Sequence, residues 1–278
     1  MAVLLLAPFA FAASLTPGVT LTVTNSAPTV PTVVQPAAKD PTSCATTSVT
    51  VQFNATDVDG ITDLNLSASY VNISKGATTR QLTACVSAEN YSSDNTMAIS
   101  CTGNMQYYDA AAADWTITAV AVDNSAESGS DATLDLTYNA GSALMDVLYT
   151  SGSAIAFGNV AKGSTKTMDT AGFKLRNCGN VALNNSVDGA DITGSGQTMA
   201  VGQFLVDDDT DYDTDTSNNA ILPLTTAPQD FSPNAATGIP VSTGSDSTWS
   251  LYFFVNVPAA QAAATYNTGS WTFAPSAA

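Results

Sequence analysis

Apolar and polar residues alternate along most of this chain with a period of two, the spacing of a strand that buries one face and wets the other. The first such stretch is residues 19–25, Val-Thr-Leu-Thr-Val-Thr-Asn, with Val19, Leu21 and Val23 on one face. Ser-Ala-Pro follows it, and the proline is expected to end it by removing a ladder donor and fixing its neighbour as extended or turned. Residues 47–53 come next, with Val49, Val51 and Phe53 sharing a face, and Asp57-Val58-Asp59-Gly60 turns the chain. Further strands are predicted over 63–71, 79–86, 96–101, 115–123 and 132–138, with 28–41 as an extended Pro-, Val- and Thr-rich lead-in. Short strands with turn signals about every ten residues are the pattern of an immunoglobulin-like sandwich.

At Asn139-Ala140-Gly141-Ser142 a second unit is expected to begin. Its predicted strands are 145–149, 154–160, 173–176, 181–187, 199–206, 249–257 and 266–273, and residues 259–264 are the one place for a helical turn. A long insertion rich in Asp, Asn, Thr and Pro runs over 207–244. The expected fold is all-β: two tandem Ig-like antiparallel β-sandwiches, at 28–140 and 141–278. An extended N-terminal strand and hinge (14–27) and an apolar segment (1–13) precede them.

Composition supports this class. Only Glu89 and Glu127 among the acids are glutamates; the rest are aspartates, which favour turns over helices. The balance of 7 Lys plus Arg against 24 Asp plus Glu, a net charge of −17, disfavours nucleic acid and anionic lipid as partners. It suits cation binding instead. The chain has no histidine, which excludes Ser-His-Asp and Cys-His mechanisms.

Residues 1–13 (MAVLLLAPFAFAA) end in an A-x-A-like site at Ala10-Phe11-Ala12 and read as a secretory h-region, too short and proline-broken to span a bilayer. They open without a basic n-region, so the start codon is expected upstream. The mature chain is expected to be extracellular, at the cell surface and without a membrane span. Four cysteines, Cys44, Cys85, Cys101 and Cys178, suit an exported protein. Cys85 and Cys101 flank a short polar excursion and are the favoured bridge, leaving Cys44–Cys178 to tie the two halves together. One bridge with two free thiols, or pairing between chains, is the alternative. None of the cysteines has zinc spacing.

The most acidic stretch is 207–215, where Asp207, Asp209, Asp211, Asp213 and Asp215 place carboxylates at every second residue. Such a loop can gather oxygens around Ca²⁺, although it lacks the glycine and glutamate of an EF-hand; a solvated acidic loop is the plain alternative. Asp57, Asp59 and Asp63 around Gly60, with Asp123 and Asn124 on another loop, are a second cation candidate, and ordinary turn chemistry explains them as readily. No paired acid and base stands out, and Trp115, Trp249 and Trp271 sit in strand patterns that read as core, so neither catalysis nor an organic cofactor is expected. Asn54, Asn65, Asn72, Asn90 and Asn184 lie in Asn-x-Ser/Thr sequons, expected at the surface.

Two stretches carry a family resemblance. FNATDVDGITDLN, followed by WTITAVAVDNSA, resembles the Ig-like repeats of archaeal exported surface proteins. FGNV, FKLRNCGNVALNNSVDGADI and LYFFVNVPAAQAAATYNTGSWTF resemble the second type of β-sandwich that such proteins carry. Related sandwiches occur in matrix fibres whose subunits join by donating an N-terminal strand. The resemblance therefore implies a structural filament or pilus subunit with identical subunits as partners. Two alternatives stand beside it: a surface-layer or envelope glycoprotein, and a Ca²⁺-dependent adhesive or glycan-binding module.

Overall fold

The computed structural model describes residues 20–90, 95–141, 144–169, 172–210, 222–231, 238–267 and 269–278. Within the described residues the chain is all-β, with one short 3-10 turn at Val201–Gln203. The N-terminal sandwich comprises β1 (Thr29–Val33), β2 (Thr47–Thr56), β3 (Tyr70–Lys75), β4 (Thr78–Leu82), β5 (Ala84–Asn90), β6 (Thr96–Met105), β7 (Ala112–Val122) and β8 (Ser128–Tyr138). One sheet runs β1-β2-β6-β5 and the other β4-β3-β7-β8. With one extra edge strand, β4, this is the immunoglobulin order of strands A, B, E and D facing C, F and G.

Alternation builds the core between these sheets. Val49, Val51, Phe53 and Ala55 of β2 point inward and are fully buried, as are Val71 and Ile73 of β3 and Trp115, Ile117 and Ala119 of β7. Two large side chains in this core carry polar atoms, and both find partners. The Trp115 indole N–H donates to the Ala110 carbonyl (2.8 Å) and the Tyr138 hydroxyl to the Gln106 carbonyl (3.0 Å).

The first strand serves both sheets. β1 pairs with the edge of β2, and the chain then crosses so that Lys39 forms a parallel bridge with Tyr138. There the Lys39 N–H donates to the Thr137 carbonyl (3.0 Å) and the Asn139 N–H to the Lys39 carbonyl (2.8 Å). Where β1 begins it passes so close to β8 that a Cβ at Gly129 would run into the Pro28 carbonyl, which only glycine avoids. The strand expected over 63–71 is mostly turn. Asn65 Oδ1 accepts from the Ala68 N–H (3.2 Å) and the Ser67 hydroxyl (2.7 Å), and this local bonding displaces the ladder until β3 starts at Tyr70.

The C-terminal sandwich comprises β9 (Met145–Tyr149), β10 (Thr167–Met168), β11 (Phe173–Asn177), β12 (Leu183–Asp188), β13 (Ile192–Gly194), β14 (Gln197–Met199), β15 (Phe204–Asp207), β16 (Leu222–Pro223), β17 (Gln229–Asp230), β18 (Thr248–Val255) and β19 (Thr272–Ala277). One sheet runs β16-β15-β18-β11-β9, with β10 also on β18; the other runs β17-β12-β19, and β13 and β14 form a hairpin. Phe173, Leu175, Phe204, Val206, Leu251 and Phe253 fill the space between. The insertion expected over 207–244 is not all loop: Leu224, Phe231 and Ile239 are core residues, and Ile239 exchanges backbone hydrogen bonds with Leu183. Residues 154–160, expected as a strand, are irregular. Ile155, Phe157 and Val160 pack on the core from outside any sheet, and Gly158, at φ 66°, breaks the extended run. Residues 259–264 give a turn in which the Gln261 N–H meets the Pro258 carbonyl, and no helix.

Candidate functional site

The opening segment stands apart from both sandwiches. Described residues 20–28 form no strand, and Leu21 and Val23 are 82 % and 80 % exposed, although their alternation is that of a half-buried strand. Its sandwich already has a first strand in β1. Among the described residues, its side-chain hydrogen bonds lie where it joins the fold. The Asn25 amide donates to Asp123 Oδ2 (2.7 Å), and the Ser26 N–H donates to Asp59 Oδ2 (2.8 Å). Asp123 is buried. Burial by itself would raise its pKa, but the Asn25 amide and the N–H groups of Glu127 and Ser125 together hold it below the ordinary range.

A second feature lies in the C-terminal sandwich, where a cleft of about 700 Å³ opens between two sheet edges. Tyr149 of β9 and Phe273 of β19 line it, together with Phe157, Phe204 and Trp271. Both β9 and β19 pair on one side only among the described residues. Residues 153–160 and 261–267 border the cleft and belong to no strand. The Trp271 indole N–H is enclosed without an acceptor. Of the three tryptophans read as core, only Trp115 is fully buried; Trp249 and Trp271 are half-buried against the second core. Sequence reasoning missed this cleft altogether.

The acidic candidates separate. Asp207 is the last residue of β15 and is 4 % exposed, so it belongs to the sheet rather than to a solvated loop. Burial pushes its pKa from an ordinary 3.8 up to about 6, against the opposing pull of the Asp208 N–H on Oδ1 (2.8 Å). Asp209 follows it in a bend, and Asp211, Asp213 and Asp215 lie outside the described residues. Asp57, Asp59 and Asp63, by contrast, are brought together: one carboxylate oxygen of each lies within 4.8 Å of the others. Asn124 is beside them, its N–H on the Asp63 carbonyl (2.8 Å).

A raised carboxyl pKa makes stability depend on pH. Asp207 holds its proton more tightly folded than unfolded, so it favours folding fully below about pH 4, and that advantage disappears as pH rises through about 6. Thermal melts from pH 4 to 7 are expected to show this decline in the parent chain and a flatter profile in Asp207→Asn; parallel profiles would contradict the assignment.

One ion pair is buried enough to matter for folding. Asp109, 2 % exposed, accepts two hydrogen bonds from Arg80 Nε (2.9 and 3.1 Å) and one from the Gln106 N–H (2.7 Å). The Asp109 carboxylate holds the Arg80 guanidinium above its ordinary pKa. Arg80→Met is expected to cost about 2 kcal/mol, below the roughly 3–5 kcal/mol of a fully buried pair because Arg80 keeps some solvent contact. Adding Asp109→Asn should recover part of that loss in urea melts.

The structure bonds Cys85 to Cys101, which face each other in the β5–β6 register, and Cys44 to Cys178, which joins the two sandwiches. Of the sequon asparagines, Asn54, Asn72 and Asn184 sit on the outward-facing side of β2, β3 and β12, and Asn65 caps the turn described above. The backbone of Asn90 closes β5.

No protein-family model and no curated protein matches the chain. Among solved structures, a chain from the chaperone–tip adhesin complex of CFA/I fimbriae is similar over 91 % of this chain and 84 % of that one, at 9 % identity and a TM-score of 0.35.

Proposed function

We propose that this chain is a structural subunit of an extracellular filament. In this reading the Thr20–Asn25 segment of one copy adds as a strand to the C-terminal sandwich of the next. The observation that carries it is the exposure of Leu21 and Val23 on a strand-patterned segment that its own sandwich does not use. Burying each of these side chains in a neighbour is worth about 1.5–3 kcal/mol, before any backbone ladder is counted.

The acceptor in this proposal is the cleft between Tyr149 and Phe273, with the donated strand running along the open edge of β19. Alternation sends Leu21 and Val23 to the same side, toward Phe157, Phe204 and Trp271. A carbonyl of the incoming strand supplies the acceptor that the Trp271 indole lacks. Donor and acceptor lie on different sandwiches, so each added copy exposes a fresh cleft, and a head-to-tail contact of this kind extends without closing. Two disulfides, with no free cysteine, fit an oxidising compartment outside the cytoplasm. The role proposed is structural, with other copies of the chain as partners and no catalytic residue assigned. Removing residues 14–27 tests it: filaments should be absent from negative-stain images, and filaments that persist unchanged overturn it.

A further inference from the structure

The acidic cluster at the end of the N-terminal sandwich contains an oxygen that turn chemistry leaves unexplained. Asp57 is fully buried. Its Oδ1 accepts the Asp59 N–H (2.9 Å), the ordinary local bond of an aspartate at a turn. Its Oδ2 is enclosed and has no hydrogen-bond donor at all. A buried carboxylate oxygen is normally hydrogen-bonded or paired with a cation. Here the nearest carboxylates make the burial less favourable, since oxygens of Asp59 and Asp63 lie within 4.8 Å. No described ion pair reaches the cluster: Lys75 pairs with Asp114, Arg80 with Asp109, and Arg176 with Asp146 and Asp246.

We propose that Asp57, Asp59 and Asp63 bind Ca²⁺. The donor set consists of hard carboxylate oxygens with no imidazole or thiolate, which selects Ca²⁺ or Mg²⁺ over zinc and copper. The carboxylates come from a single irregular turn, 57–63, whose geometry suits the variable coordination of Ca²⁺ better than the strict octahedron of Mg²⁺. The bound ion neutralises the three acids and gives Asp57 Oδ2 its missing partner.

The same site has a mechanical neighbour. Asp59 also accepts the Ser26 N–H (2.8 Å), so the ion is one residue contact away from the point where the N-terminal segment leaves the sandwich. Ca²⁺ therefore stiffens the Asn25–Ser26 hinge and fixes the direction in which Leu21 and Val23 project. The site itself stands on Asp57 and its neighbours, whether or not the segment is donated to another copy.

The test is calorimetric titration of CaCl₂ into the full-length chain, repeated with MgCl₂, for the parent and for Asp59→Asn, Asp63→Asn and Asp209→Asn. Asp59 is exposed and Asp63 half-buried, so these variants keep the fold, which circular dichroism checks. The expected result is a Ca²⁺-binding event, preferred over Mg²⁺, that weakens at least about tenfold in Asp59→Asn and Asp63→Asn and is kept in Asp209→Asn. Absence of Ca²⁺ binding in the parent overturns the proposal. So does a binding event that survives both Asp59→Asn and Asp63→Asn, which would place the ion on the acidic stretch after β15. Because the readout is binding to the single chain, its outcome is independent of whether filaments form.

Discussion

A chain lacking residues 14–27 is expected to remain a soluble monomer under conditions in which the full chain forms filaments. The deletion leaves the N-terminal sandwich its complete set of strands, since β1 begins at Thr29 and pairs with β2 and the last strand closes through the Lys39–Tyr138 bridge. Its melting temperature should fall only by what the lost Asn25–Asp123 and Ser26–Asp59 hydrogen bonds contribute, about 1.5–3 kcal/mol for a bond to a charged group, while circular dichroism stays that of the folded parent, and this separates loss of assembly from loss of folding. Replacing Leu21 or Val23 by Asp makes the same point with the backbone intact. Each charge would have to be buried among Phe157, Phe204 and Trp271, at a cost far above the 1.5–3 kcal/mol or so that the apolar side chain contributes. Size-exclusion chromatography and electron microscopy together give the answer. Polymer of normal length and abundance from Leu21→Asp would remove the donated strand from consideration.

The second large effect concerns the bond between the sandwiches. Breaking Cys44–Cys178 in a Cys44→Ala, Cys178→Ala double variant is expected to lower stability by about 2–5 kcal/mol. The bond closes a loop with a sequence separation of 134, against 16 for Cys85–Cys101, so the chain-entropy model ranks it as the more stabilising of the two. Polar contacts surround it: the Cys44 N–H reaches the Cys178 carbonyl (3.3 Å), the Gly141 N–H reaches Asn180 Oδ1 (2.6 Å), and the Asn180 amide returns to the Asn139 carbonyl (2.9 Å). These contacts depend on the two sandwiches staying in register. Without the covalent bond, urea unfolding should separate into two transitions, one from each sandwich. A single unshifted transition would show that the polar contacts suffice.

Compact runs of apolar and β-branched residues were readable from sequence as strands: 145–149 coincides with β9, and 47–53 and 115–123 fall within one residue of β2 and β7 or inside them. β1 was not, because Pro31 argues against a strand. It is tolerated there because β1 is an edge, and its register with β2 shifts between Thr29 and Thr32. The strand expected over 63–71 failed for the opposite reason: the pattern was present, but Asn65 bonds its own turn first. Phe231 is a single apolar residue between Asp230 and Ser232, and Leu224 and Ile239 lie in short runs broken by Pro223 and Pro240, so no strand periodicity marks them as core. Of the candidate sites, residue type and spacing flagged Asp57, Asp59 and Asp63, but only packing shows that one oxygen of Asp57 is sealed in without a donor. The cleft was invisible for a related reason. Tyr149, Phe204 and Trp271 are far apart in the chain, and alternation distinguishes inward from outward without revealing which inward space is unfilled.

The Cys44–Cys178 bond also decides where tension would travel. A pull on the N-terminal segment enters the fold at Pro28, runs through β1 and the Lys39 bridge to Cys44, and there crosses the sulfur bond directly into the C-terminal sandwich. Residues 45–177, which carry most of the N-terminal sandwich and β9 to β11 of the second, hang to the side of that path as a closed loop. Stretching can peel β1 from β2, but it cannot unravel the other strands to lengthen the chain. Between its first strand and its second sandwich the molecule is a short, nearly inextensible tether.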